Sequence, residues 1–232
     1  MRIVGLQKLT LLDYPGKVAC TVFLGGCNFR CPYCHNGQLL TDAPAVMSRE
    51  DLFEFLESRR GLLEGVCVTG GEPTLSRELP EFLEQIKSMG FSVKLDTNGS
   101  RPEILKQILQ QGLADYVAMD VKNSPQTYAA TIGVETPLEA LEESLKLLLH
   151  GNTPYELRTT VVRQLHTAAS IREMGQWLFE LAGNRQIRKI FLQPFVLRDT
   201  VPEQNLLPPE NAQMTEYTLL LKTFAQEVSV RG

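Results

Sequence analysis

The chain has little of what a nucleic-acid surface needs. Lysine and arginine number 23 against 27 aspartates and glutamates, for a formal net charge of -4. Binding of that kind rests on an extended basic face, so nucleic acid is set aside as a partner. Long apolar runs are missing too: none reaches the roughly 18 residues that cross a bilayer. Met1–Thr10 has no apolar segment followed by a cleavage site. A cytoplasmic protein with no membrane partner is expected. Cysteine is scarce and odd in number, at five, which does not suit a disulfide framework. No linker or low-complexity stretch divides the 232 residues, so one domain over 1–232 is expected.

What is present is a repeat of short apolar strands, each followed by an amphipathic helix. Strands are predicted at Val18–Leu24, Gly65–Thr69, Ser92–Asp96, Tyr116–Val121, Glu156–Val162 and Lys189–Phe195. They are apolar on both faces, as buried parallel strands are. Ser48 with Asp51 predicts a capping box for a helix through Arg59. Arg77–Met89 predicts a helix stopped by Gly90, and Pro102 opens one closed by Gly112. Thr136, Pro137 and Glu139 begin a helix running to His150 and Gly151. Ile171–Ala182 and Glu210–Val228 are predicted as the last two. Six βα units in this length imply an α/β fold: a partial (βα)6 TIM-like barrel of parallel strands, or else a doubly wound sheet. In either, ligands gather at the carboxyl ends of the strands.

Three of the five cysteines fall in eight residues directly after the first predicted strand, as Cys27-x3-Cys31-x2-Cys34. Three thiolates on an iron–sulfur cubane leave one iron without a protein ligand, whereas four favour plain electron transfer. Gly25 and Gly26 allow the backbone to turn beside a bulky group. The alternative is a structural zinc site, which needs a fourth protein ligand. His35 is too close to Cys34 to supply it readily, and Cys67 lies in an apolar strand. Cys20 and Cys67 read as small buried hydrophobes.

The spacing, with Gly5-Leu6-Gln7-Lys8, Leu11-Leu12-Asp13-Tyr14-Pro15-Gly16 and Gly26 through Asn36, resembles the radical S-adenosylmethionine superfamily. Within it the chain resembles the activating proteins of anaerobic ribonucleoside-triphosphate reductases, a kind of glycyl-radical enzyme activase. The resemblance implies a [4Fe–4S] cluster on Cys27, Cys31 and Cys34 and S-adenosylmethionine chelated at the open iron. One electron from the reduced cluster would cleave the sulfonium C–S bond to methionine and a 5′-deoxyadenosyl radical. The protein's share is orientation, electrostatics and exclusion of water.

The remaining motifs each end a predicted strand. The resemblance carries Gly70, Gly71 and Glu72 of Gly-Gly-Glu-Pro over as the binders of the methionyl ammonium; on sequence alone the motif is also an ordinary βα turn. Asp96 and Asn98 of Asp-Thr-Asn-Gly can bond ribose hydroxyls or a cation, although Asn-Gly is itself a turn dipeptide. Asp120 and Lys122 resemble the Asp-x-Lys of activases, with Lys122 facing the methionyl carboxylate. A monovalent cation shared by Asp96 and Asp120 is a further expectation from the same resemblance. Arg158, flanked by apolar neighbours, is costly inside a strand unless paired with an acid or a ligand carboxylate, or else it faces the surface. Gln193 poses the same choice. Tyr33 is expected against the adenine or packed over the cluster loop, and His35 near the cluster or the adenine. His150 reads as a helix-end histidine, and His166, beyond the fifth strand, has no partner motif.

The resemblance implies hydrogen abstraction from a glycine Cα of a partner, an anaerobic ribonucleotide reductase, with flavodoxin or ferredoxin as low-potential donor. A small-molecule radical enzyme, such as a deazapurine-forming synthase, is the second reading. A zinc-stabilised interaction module is the third.

Overall fold

A computed structural model describes residues 1–39 and 43–231. The chain forms two compact units, one of Met1–Asn28 with Gln38–Ala118, the other of Phe29–Gly37 with Met119–Gly232. The first unit contains β1 (Ile3–Thr10), β2 (Ala19–Leu24), α1 (Arg49–Ser58), β3 (Gly65–Gly70), α2 (Leu79–Ser88), β4 (Ser92–Thr97) and α3 (Pro102–Gln110). β5 (Tyr116–Asp120) begins in the first unit and ends in the second. The second continues with α4 (Tyr128–Ile132), α5 (Leu138–His150), β6 (Tyr155–Val161), α6 (Ala168–Leu181), β7 (Ile187–Pro194), α7 (Asn211–Leu221) and β8 (Ala225–Val230).

The class is the expected one: an α/β fold whose strand neighbours follow chain order from β1 to β8. β2–β3, β3–β4, β6–β7 and β7–β8 pair in parallel, and β1 pairs antiparallel with β2. The cause is visible in β2, where Ala19, Cys20, Thr21, Val22 and Leu24 are all buried, so both faces are covered. The helix ends follow from local chemistry. Ser48 and Asp51 form the expected capping box on α1. Gly90 and Gly112, at φ of 92° and 62°, take the left-handed turn that closes α2 and α3.

Among the described residues eight strands are found where six were expected. β1 escaped notice because Gln7, Lys8 and Leu9 are exposed, and an antiparallel edge strand needs no continuous apolar run. The predicted helix Glu210–Val228 is a helix only to Leu221; its remainder is β8. There Ala225, Glu227 and Val228 align with Ile187, Lys189 and Ile190 of β7, and Lys189 holds Glu227 at 3.1 Å. Pairing with a waiting strand overrides helical continuity. Gly151 ends α5 with an extended backbone, φ −82°, and not as a left-handed cap.

Candidate functional site

In the first unit, Cys27 follows β2, Gly70 ends β3, and Asp96 is the penultimate residue of β4, before Asn98. Gly70 and Gly71 are glycine for a steric reason. Gly70 has φ +126°, and a Cβ on Gly71 would overlap the carbonyl of Gly26. Two backbone bonds fix that approach, Gly71 N to the Leu24 carbonyl at 2.8 Å and Glu72 N to the Gly26 carbonyl at 2.8 Å. The Gly-Gly-Glu-Pro turn is thereby bolted to the start of the cysteine loop.

Glu72 points inward, 2% exposed. Its carboxylate accepts from the Thr74 amide at 3.1 Å, from the Thr74 hydroxyl, from Thr97 Oγ1 at 2.7 Å and from the Asn98 amide at 2.6 Å. Burial raises its pKa above the ordinary carboxylate value, against the pull of those donors. The side chain therefore ties the β3 turn to the end of β4. Asn98 donates to Asn28 Oδ1 at 3.0 Å and reaches Cys27 Sγ at 3.9 Å, while Asn28 donates to Ser100 Oγ at 2.9 Å. Asp96 is paired with Lys94, whose side chain is 1% exposed. Lys94 was not anticipated; its signal was a charge between Val93 and Leu95 in a buried strand, the same argument that singled out Arg158.

In the second unit the cysteine loop is clamped from several sides. Arg30 N donates to the Ile132 carbonyl at 2.8 Å, at the end of α4, and Glu203 N to the Pro32 carbonyl at 3.0 Å. A Cβ on Gly133, at φ +72°, would strike the Arg30 carbonyl. The His35 ring stacks on Phe195 with centroids 5.6 Å apart and bonds the Val196 carbonyl at 2.7 Å. Its own carbonyl accepts from Thr200 at 2.8 Å. His35 is thus anchored to the segment after β7.

Asp120 ends β5 and receives two cations. Lys122 Nζ lies 2.9 Å from Oδ2, and Arg158 Nε, from β6, lies 2.9 Å from Oδ1. Arg158 has the acid partner that its position demanded. Burial would raise the Asp120 carboxyl, but Arg158 and Lys122 outweigh it and hold the pKa at about 2. Burial would lower the Lys122 ammonium; Asp120, with Tyr33 and Cys31, reverses this and raises it well above its ordinary value. Lys122 is a permanent cation.

Burial raises the Cys31 and Cys34 thiols, and the Lys122 charge works against that in both. Tyr33 is 3% exposed, and among the described residues its hydroxyl is the buried side-chain polar atom with no hydrogen-bond partner. No disulfide joins the five cysteines. In the second unit, the soft donors Cys31 and Cys34, the fixed Lys122 cation beside them and the orphaned Tyr33 hydroxyl fit an iron–sulfur group bound through thiolates. Among the described residues no three His, Cys, Asp or Glu side chains converge on a single metal ion. His166, left aside in the sequence, is 1% exposed and bonded to the Lys122 carbonyl at 2.9 Å.

Relatives agree with this chemistry. A protein of Methanocaldococcus jannaschii named "Putative glycyl-radical enzyme activating enzyme MJ1227" is 28% identical over 236 residues, 99% of this chain and 95% of its own. The 7-carboxy-7-deazaguanine synthase of Aquifex aeolicus is 36% identical over 77 residues, 33% of this chain and 34% of its own. In fold, the chain matches the crystal structure of a domain of pyruvate-formate lyase-activating enzyme from Bacteroides vulgatus. The TM-score is 0.59 at 19% identity, covering 72% of this chain and 99% of that domain. The model of the Radical SAM superfamily matches residues 21–174, from β2 to α6, which takes in the cysteine loop and every strand-end motif described above: the chain belongs to the radical SAM superfamily.

Proposed function

We propose that this protein is an activase that makes a glycyl radical on a partner enzyme, an anaerobic ribonucleoside-triphosphate reductase being the expected partner. Membership of the superfamily implies a [4Fe–4S] cluster and S-adenosylmethionine. The observation that carries the finer reading is length: likeness to the Methanocaldococcus jannaschii activating enzyme runs through 99% of this chain and 95% of that one.

When bound, the cluster and S-adenosylmethionine supply one electron and a 5′-deoxyadenosyl radical that takes hydrogen from a glycine Cα. The chain's own residues hold and orient these groups. Cys27, Cys31 and Cys34 are the cluster ligands. The backbone of Gly70 and Gly71 receives the methionyl ammonium. Lys122, held by Asp120, takes the methionyl carboxylate as a point charge, with Arg158 fixing Asp120 from the next strand. Asn98 and Asp96 serve the ribose side, and Tyr33 and His35 shape the adenine side of the cysteine loop. Electrons come from a low-potential carrier of the flavodoxin or ferredoxin kind. The monovalent cation expected on Asp96 and Asp120 competes with Lys94, which pairs Asp96, and with the two cations that flank Asp120. Indifference of S-adenosylmethionine affinity to alkali ions would remove it.

The test is anaerobic: reconstituted protein, reductant, S-adenosylmethionine and the candidate reductase, read by electron paramagnetic resonance. A glycyl radical on the reductase, dependent on all four, supports the proposal. The second reading, a small-molecule radical enzyme, draws on the local 36% identity to a deazaguanine synthase. Turnover of a pterin or purine precursor with no protein partner present would put that reading first.

A further inference from the structure

We infer that His166 is the positioning residue for Lys122, and through it sets recognition of the carboxylate end of S-adenosylmethionine. The inference rests on the reading that Lys122 meets that carboxylate.

The geometry fixes the proton that faces Lys122. Nε2 lies 2.9 Å from the Lys122 carbonyl, which can only accept, so Nε2 carries a hydrogen. Nδ1 lies 3.1 Å from the Val162 amide nitrogen, which donates, and 3.3 Å from the Val162 carbonyl, which accepts; the shorter contact is that of an amide donating to a bare Nδ1. The ring is a neutral Nε2–H tautomer spanning the start of the segment after β6 and the segment after β5. Burial pushes its pKa below the ordinary histidine value, in keeping with that form. The ring is itself held, because the His166 carbonyl accepts from Tyr217 Oη of α7 at 2.9 Å.

Lys122 is thus fixed at three atoms. Its amide donates to Tyr128 Oη at 3.3 Å, its carbonyl accepts from His166, and its ammonium is paired with Asp120. The next residue, Asn123, is 0% exposed and donates to the Leu165 carbonyl at 2.8 Å, one residue before His166. A point charge on a four-carbon stem has little directionality of its own. Its aim depends on the peptide that carries it, and His166 is the side chain that orients this peptide's carbonyl.

The experiment compares two ligands on the reconstituted holoenzyme by anaerobic calorimetry. S-adenosylmethionine carries the aminocarboxylate; 5′-methylthioadenosine has the same nucleoside without it. H166L is expected to weaken S-adenosylmethionine binding about five- to tenfold, the scale of one hydrogen bond, and to leave methylthioadenosine affinity unchanged. H166Q, which can still donate to the Lys122 carbonyl, is expected to restore the parent value within about twofold. Unchanged binding of both ligands by H166L, or equal loss of both, overturns the inference. If H166L does not fold, H166N, whose amide falls short of the carbonyl, carries the same comparison. K122M separates the two levels. Unchanged S-adenosylmethionine affinity in K122M refutes the underlying role of Lys122. A selective loss in K122M with none in the His166 variants refutes only the positioning role.

Discussion

Asp120→Asn tests the electrostatic centre of the second unit. The carboxylate sits between Lys122 and Arg158 at 2.9 Å each, with its side chain 28% exposed. Its pKa falls from an ordinary value near 3.9 to about 2. A shift of about two units corresponds to roughly 2.6 kcal/mol of native stability. The sign is that of a depressed acid: the contribution is complete above the unfolded pKa near 4 and is lost as pH falls through about 2. D120N keeps the shape, removes the charge and leaves two cations facing each other. Urea unfolding of the anaerobically purified protein at pH 7 should therefore show a loss of about 2–3 kcal/mol. With an m-value of roughly 1–3 kcal/mol per molar, the midpoint should fall by about 1 M or more. The gap should be flat from pH 5 to pH 8, because no partner in the trio titrates there. A gap below about 0.5 kcal/mol, the size of a neutral surface change, or one that grows across that range, would refute the reasoning.

Three further outcomes are expected. Cys31→Ala should leave the far-ultraviolet dichroism unchanged while the reconstituted protein loses its brown colour and releases no 5′-deoxyadenosine; release at the parent rate would remove Cys31 from the ligand set. Gly71→Ala forces a Cβ onto the Gly26 carbonyl, so the turn must move, and S-adenosylmethionine binding by equilibrium dialysis should drop by at least about tenfold with the fold retained. Arg231→Ala removes the bidentate partner, at 2.9 and 3.1 Å, of Glu156, whose side chain is 0% exposed, and the cation stacked 3.7 Å over Phe191. About 3 kcal/mol should be lost, a fall in melting temperature of roughly 6–12 °C for a chain of this length, and an unchanged melting curve would show that Glu156 finds other support.

The strands buried on both faces were legible because their apolar runs have no second interpretation: β2 through β7 fall within two residues of the expected bounds. β1 and β8 were not, since an edge strand takes its identity from the neighbour it pairs with. The strand-end motifs were legible in the same way, as polar residues placed where apolar runs stop. What sequence could not give was their direction. Glu72 sits inside the family motif, yet its carboxylate is filled by Thr74, Thr97 and Asn98. Lys94 and His166 were missed or left aside because their meaning depends on contacts. Lys94 looked like one charge in an apolar strand, and His166 finds Lys122 across 44 residues of chain.

The two acids of the motifs show how this fold assigns unlike duties to like side chains. Glu72 is surrounded by neutral donors, and burial raises its pKa; its hydrogen bonds brace the turn. Asp120 is surrounded by cations, which lower its pKa to about 2. The trio it forms with Lys122 and Arg158 contains two positive groups and one negative, hence a net charge of +1 at neutral pH. A half-buried surplus of positive charge is costly unless an anion joins it. Under the proposed function, the carboxylate of S-adenosylmethionine is the anion that joins this trio.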